Sequence, residues 1–261
     1  MICPIFQIDA FAAELFGGNP AAVVPLEAWL PDPTMQNIAR ENNLAETAFF
    51  VPRMKADSFD LRWFTPTTEV QLCGHATLAT AFAIFNCLQI NKSDQLAFYT
   101  LSGWLHVRRD GDLFTLDFPT DRLLPADLPE AARTGLNILP KKVLLGREDY
   151  LCVYESEAEV LALAPDFRTL KTVSARGFIC TAPGEQSDFV SRCFFPAFGI
   201  DEDPATGSAH TTLAPFWAEK LGKTTLNAIQ VSERRGFLRC TLAGDRVLIA
   251  GQAVLYLEGK I

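Results

Sequence analysis

Two short stretches of this chain hold residues able to grip a ligand and move protons, and they share one plan. Glu69-Val-Gln-Leu-Cys-Gly-His-Ala-Thr77 and Glu202-Asp-Pro-Ala-Thr-Gly-Ser-Ala-His210 each place an acidic residue five positions before a glycine, Gly74 or Gly207, and each runs on through hydroxyl residues to Leu-Ala. A helix that starts at such a glycine offers unpaired N–H groups and a partial positive charge, with no Cβ in the way. Two of them could clamp a carboxylate or a phosphate. Ser208 would add a hydroxyl donor. The competing reading is that the glycines serve only tight packing, but packing alone gives no reason to repeat the acid, the glycine and the Thr-Leu-Ala together.

Proton transfer needs a group that can both take and give. Glu46, in Leu44-Ala-Glu-Thr-Ala-Phe-Phe50, is a carboxyl among apolar residues at an expected strand start, and such surroundings favour general acid/base work. Of three histidines, His75 and His210 fall in the repeated stretches, while His106 lies in an expected hairpin and reads as structural. Cys73 invites comparison with racemases that face one thiol against another. The matching position in the second stretch is Thr206, so a two-thiol mechanism is disfavoured and Cys73 reads as a small buried residue. A zinc site from Cys73, His75 and His210 has poor ligand spacing. Asp203 could orient or protonate a substrate, or simply cap a helix.

The elements that must position these groups follow from pattern. Residues 2–10, 21–26, 46–52 and 59–65 read as strands, a helix starts near Pro33 and stops at Asn42-Asn43, and a long apolar helix runs from Gly74 to Leu88. Three strands over 96–118 form a meander. Four prolines between 119 and 140 mark a connector, which sets the halves at 1–118 and 119–251. In the second half, 142–145, 150–154, 172–175, 178–181 and 189–195 read as strands, with a short helix at 157–164. A helix is expected over Gly207–Leu221 although Pro215 falls inside it, at a cost of about 3 kcal/mol unless something compensates. Antiparallel strands finish the chain.

The 261 residues carry a formal charge of −8 and no dense run of Lys or Arg, which argues against nucleic acid and anionic membranes as partners and for a small molecule. The apolar run after Val70 is interrupted by Gln71, His75, Thr77, Thr80 and Asn86, so a buried helix is expected rather than a membrane span. Seven scattered cysteines, none spaced C-x-x-C, read as reduced thiols of a cytoplasmic protein.

Six separated motifs then resemble, in order, the phenazine biosynthesis PhzF-like family: Phe16-Gly-Gly-Asn-Pro-Ala-Ala-Val23, Glu41-Asn-Asn-Leu-Ala-Glu-Thr-Ala-Phe49, Leu61-Arg-Trp-Phe-Thr-Pro66, Glu69 to Thr77, Thr100-Leu-Ser-Gly103 and Glu202 to Ala209. The resemblance implies an α+β fold of the diaminopimelate epimerase type: two similar halves, each a mainly antiparallel sheet around a central helix, with a pocket between them and the last strand, about 252–261, returned to the first half. It also implies homodimers and the isomerisation of a dihydro-hydroxyanthranilate without metal or organic cofactor. The key group would be Glu46, supported by His75, Asp203 and Ser208, with Asn19, Gly74 and Gly207 among the substrate-holding residues. The expectation is a cofactor-independent isomerase of a small carboxylate. The alternatives are an amino-acid epimerase or racemase, or a non-catalytic binding protein on the same scaffold.

Overall fold

Alternating and continuous apolar runs build the strands that carry the expected site. In the computed structural model, residues 2–261 are described and divide into two units, one holding the residues up to Asp117 with Ala250–Ile261 and the other Phe118–Ile249. Both are α+β, and both follow the same order of elements.

In the first unit, Pro4–Ala10 pairs antiparallel with Asn19–Pro25. The helix Asp32–Asn42 then carries the chain over to Glu46–Pro52, which lies parallel to Asn19–Pro25 with Ala21 opposite Glu46. That helix has Pro at its first turn, where no N–H is needed, and ends on Asn43 in the left-handed region at φ 50°. Ser58–Phe64 returns antiparallel, Glu69–Val70 pairs briefly with it, and the helix Gly74–Phe82 follows. Gln95–Thr100 then runs parallel to Ser58–Phe64 and opens the meander with Gly103–Asp110 and Leu113–Pro119. Ala253–Lys260 pairs antiparallel with Pro4–Ala10.

The second unit repeats this. Lys142–Leu145 and Asp149–Val153 are antiparallel, the short helices Glu157–Leu161 and Phe167–Leu170 cross over, and Gly177–Pro183 lies parallel to Asp149–Val153 with Asp149 opposite Gly177. Phe189–Phe195 returns antiparallel and pairs with Ile200–Asp203. The helix His210–Leu221 precedes Thr225–Gln230, which is parallel to Phe189–Phe195.

Each central helix is apolar enough to sit inside its sheet. Every residue from Gly74 to Ala81 is buried. In the second helix Trp217 stacks on Phe189 with centroids 5.7 Å apart, and its indole N–H donates to Thr181 Oγ1 at 2.9 Å, which satisfies the one polar atom it buries.

Three expectations need correction. The first central helix does not run uniformly to Leu88, because Ala83–Leu88 takes the wider π form, with Phe85 packed against Phe114 and under Arg109. Residues 172–175 are not a strand. Asp166 caps the helical turn Phe167–Leu170 just before them by accepting from the Arg168 and Thr169 N–H groups, and the chain coils on through turn bonds such as Val173 N–H to Leu170 O. The second central helix begins at His210, not at Gly207. Pro215 lies inside it as expected, and its cost is offset because the Thr211 carbonyl that loses its helical donor accepts instead from the Asp121 backbone N–H at 3.0 Å. Among the described residues no helix is long and apolar enough to cross a membrane.

Candidate active site

The first unit brings four of its polar side chains together around Gly74. Glu46 is the first residue of its strand and Asn19 the first of the parallel neighbour, so both stand at the same end of the pairing. Cys73 precedes the helix in an extended conformation, φ −146°, and His75 is the second helical residue. All four are buried. The His75 Nε2 lies 2.9 Å from Glu46 Oε2. Its Nδ1 lies 3.3 Å from the Asn19 amide and 3.6 Å from Cys73 Sγ. Glu46 is therefore not isolated among apolar residues as its local sequence suggests. An imidazole that is distant in sequence faces it.

Electrostatics favour a charged imidazole. Burial opposes the charge, but the neighbouring Cys73 and Glu46 outweigh it, and His75 holds its proton well above its ordinary range. The Cys73 thiol is pushed up to about 11, first by burial and then by the charge of Glu46, against the opposing pull of His75. A thiol with that value is neutral near pH 7. Asn19 Nδ2 and His75 Nδ1 face each other in one hydrogen bond whose direction follows from the imidazole tautomer.

The second unit builds the matching turn differently. The Thr206 hydroxyl donates to Asp203 Oδ2 at 2.5 Å. Gln230, fully buried at the end of its strand, accepts from the Thr206 N–H at 2.7 Å and donates to the Asp203 carbonyl at 2.5 Å. Asp203 is thus held in a turn, not placed as a helix cap. Gly207 and Ser208 lie in a tightened turn before the helix, their carbonyls accepting from the His210 and Thr211 N–H groups, and Ser208 is half-buried. His210 is wholly buried, donates Nδ1–H to the Thr206 carbonyl at 2.9 Å and packs beside Phe189. Burial pulls its pKa down to about 4, against the opposing effect of that hydrogen bond, so it is neutral.

Each turn hangs from an arginine clamp. Arg62 grips both oxygens of Glu69 at 2.7 and 2.8 Å, and Arg192 grips both oxygens of Glu202 at 2.8 and 2.7 Å. Such two-pronged pairs fix orientation as well as distance. Arg62 also reaches Asp32 at the start of the first crossover helix, and Arg192 the Leu163 carbonyl just past Glu157–Leu161. Sequence reasoning missed both clamps, although the signal exists as a repeated Arg-x-Phe-x-Pro, Arg62 to Pro66 and Arg192 to Pro196, with each guanidinium over its own Phe64 or Phe194 ring. It also missed Gln230, whose only signal is an amide closing a strand in step with the buried Leu226 and Ala228.

A family model described as phenazine biosynthesis-like protein, PhzC-PhzF, matches residues 8–259. The chain belongs to the PhzC-PhzF family. Among curated relatives, this family member is 52% identical over 257 residues to an uncharacterised isomerase of Pseudomonas aeruginosa, covering 98% of both chains. Among solved structures it superposes on a phenazine biosynthesis protein of the PhzF family from Enterococcus faecalis with a TM-score of 0.96 at 46% identity, covering 100% of this chain and 99% of that one. A hydroxyproline epimerase from Agrobacterium vitis, 9% identical with a TM-score of 0.61 over 100% of this chain and 92% of that one, shares the fold. The PhzC-PhzF chain therefore has the expected diaminopimelate epimerase-like architecture of two similar halves.

Proposed function

We propose that the chain is a cofactor-independent isomerase of a small carboxylate, with Glu46 as its proton carrier. The observation that carries this reading is the buried contact of Glu46 with His75 at 2.9 Å, which fixes where the carboxylate faces. Glu46 takes a proton from a substrate carbon, the electron pair left behind shifts the double bond, and the same carboxyl returns the proton to a second carbon. One group acting first as base and then as acid on one face suits a proton shift. Stereoinversion needs a second group on the opposite face. Neither the neutral Cys73 thiol nor Thr206 in the matching place favours a racemase built on two thiolates. His75 orients Glu46, and Asn19 orients His75. Gly74, Gly207 and Ser208 are assigned to the substrate carboxylate and Asp203 to its polar substituents. Isomerase names among the relatives support the reaction class.

The test is Glu46→Gln, which keeps shape and removes the base. Ligands are first found by thermal shift among cyclic and open-chain carboxylates, since a ligand of the folded state raises the melting temperature with its occupancy. Turnover of a bound carboxylate, followed by deuterium uptake from heavy water, should fall at least a thousandfold in Glu46→Gln while the thermal shift persists. Turnover retained within tenfold sinks the assignment.

A further inference from the structure

We propose that Cys73, His75 and Glu46 form a site for a soft divalent cation, Zn²⁺ above all, and that an ion bound there occupies the proton-carrying carboxylate. The binding claim stands on geometry alone. Only its inhibitory consequence rests on the function proposed above.

Sulfur, imidazole nitrogen and carboxylate oxygen are the three donor types that zinc takes in proteins. Here one of each lies within 4.8 Å of the others, on buried side chains. The Cys73 Sγ to His75 Nε2 distance is 3.9 Å and the Nε2 to Glu46 Oε2 distance 2.9 Å. Zinc–sulfur bonds of about 2.3 Å and zinc–nitrogen or zinc–oxygen bonds of about 2.0 Å, arranged tetrahedrally, set the corresponding edges near 3.6 and 3.3 Å. The Nε2–Oε2 edge needs to open by only a few tenths of an ångström, whereas Sγ, 3.6 Å from Nδ1 and 3.9 Å from Nε2, lies beside the ring and reaches the third corner by rotation of the Cys73 side chain. The fourth corner is left for water or an anionic ligand.

Cys-x-His looks wrong for a metal in sequence, because two residues apart on a helix point to opposite sides. Cys73 escapes that rule by standing outside the helix in extended conformation, which turns its thiol back onto the His75 ring. The third ligand comes from 27 positions before Cys73, and the His210 first considered for it belongs to another cluster, with its Nδ1 already bonded to Thr206. Asn19 against Nδ1 supplies the outer partner that metal-bound histidines need to hold their ring in place. Charge also balances. Zinc binding displaces the thiol proton, and the ring proton of a charged His75, to solvent, and the ion is neutralised by one thiolate and one carboxylate. The second unit cannot match this set, because Thr206 stands where Cys73 does.

The experiment is titration of the full chain with Zn²⁺ in a competing chelator, beside Co²⁺ titration followed by thiolate-to-cobalt charge-transfer absorption. Wild type should take up one ion per chain and show the sulfur band. Cys73→Ser should weaken zinc at least tenfold and abolish the band, whereas Cys87→Ser, at a half-buried thiol outside the cluster, should change neither. Glu46→Gln should weaken zinc and keep the band. Should Cys73→Ser fail to fold, Cys73→Ala and the Glu46→Gln result carry the same decision. No stoichiometric uptake by wild type, or an unchanged affinity and band in the Cys73 variants, overturns the site. Both readouts are independent of turnover, so a failed isomerase assignment leaves them intact.

Discussion

In the first unit the carbonyl of Cys73 accepts from the Thr77 hydroxyl at 2.5 Å, and in the second the carbonyl of Thr206, at the matching place, accepts from the His210 ring. The two turns share their scaffold down to that bond and to the arginine clamps that hold Glu69 and Glu202. They differ in what they add. The first turn carries a thiol and an imidazole and faces Glu46. The second carries two hydroxyls, with a carboxylate, Asp203, where the first has Val70. Where the first unit starts its strand with Glu46, the second starts with Gly177, and a Cβ there would collide with the Phe194 carbonyl and the Phe195 ring. The duplicated frame has therefore been loaded asymmetrically, with a proton-holding imidazole beside Glu46 in one copy and a network of hydroxyls with Asp203 beside a neutral imidazole in the other.

The turns are also braced unequally, and this gives the largest expected effect. Gln230 ties down the Asp203–Thr206 turn from a fully buried position, whereas the Gln71 carbonyl of the first turn is held by the exposed Ser102 hydroxyl at 2.8 Å. Gln230→Leu strands a buried N–H and weakens the pairing of a buried carbonyl, so a loss of about 3 kcal/mol in urea unfolding is expected. Ser102→Ala should cost about 0.5 kcal/mol, because water replaces its bond. Equal losses would mean that the two braces are equivalent and that the comparison fails.

The clamps should differ less. Arg192 serves Glu202 and the carbonyls of Val160 and Leu163, while Arg62 serves Glu69 and the well-exposed Asp32. Arg192→Leu is expected to cost about 2 kcal/mol and Arg62→Leu about 1 kcal/mol, since taking the guanidinium donor from the buried Leu163 carbonyl costs more than losing a screened surface charge. Denaturant titration of the two variants side by side checks the order, and a larger loss for Arg62→Leu would reverse it.

The strands were legible in the sequence wherever alternation or an unbroken apolar run met a turn residue. Glu46–Pro52, Lys142–Leu145 and Phe189–Phe195 have the expected limits to the residue. Residues 172–175 failed because Thr172 and Val173 suit a strand locally, while the Asp166 cap upstream commits the chain to a helical turn. Pro215 was legible as a problem but not its solution, since the substitute donor comes from Asp121, far along the chain. The candidate site was legible as a set of residues and not as a geometry. Spacing could mark Glu46, Cys73 and His75 but could not show that they meet, because that depends on parallel pairing and on one extended residue ahead of a helix.

The two histidines give the finest test, because they should titrate in opposite directions. His75 has a raised pKa in the folded chain, so the folded state binds the proton more tightly than the unfolded one. Its contribution is fully present below the unfolded value of about 6.5 and is lost as pH rises through the folded value. His210 is the reverse. With a folded value of about 4, it contributes above 6.5 and loses that stability as pH falls toward 4. Unfolding free energies of His75→Gln and His210→Gln, measured from pH 4.5 to 9 and subtracted from wild type, should therefore slope oppositely. The His75 difference should shrink as pH rises above neutrality and the His210 difference should shrink as pH falls below it. For His210 the change between pH 7 and pH 6 is less than about 1 kcal/mol, so the sign of the slope rather than its size decides. Parallel slopes would mean that both rings rest in the same charge state, and the asymmetric loading of the two turns would have to be abandoned.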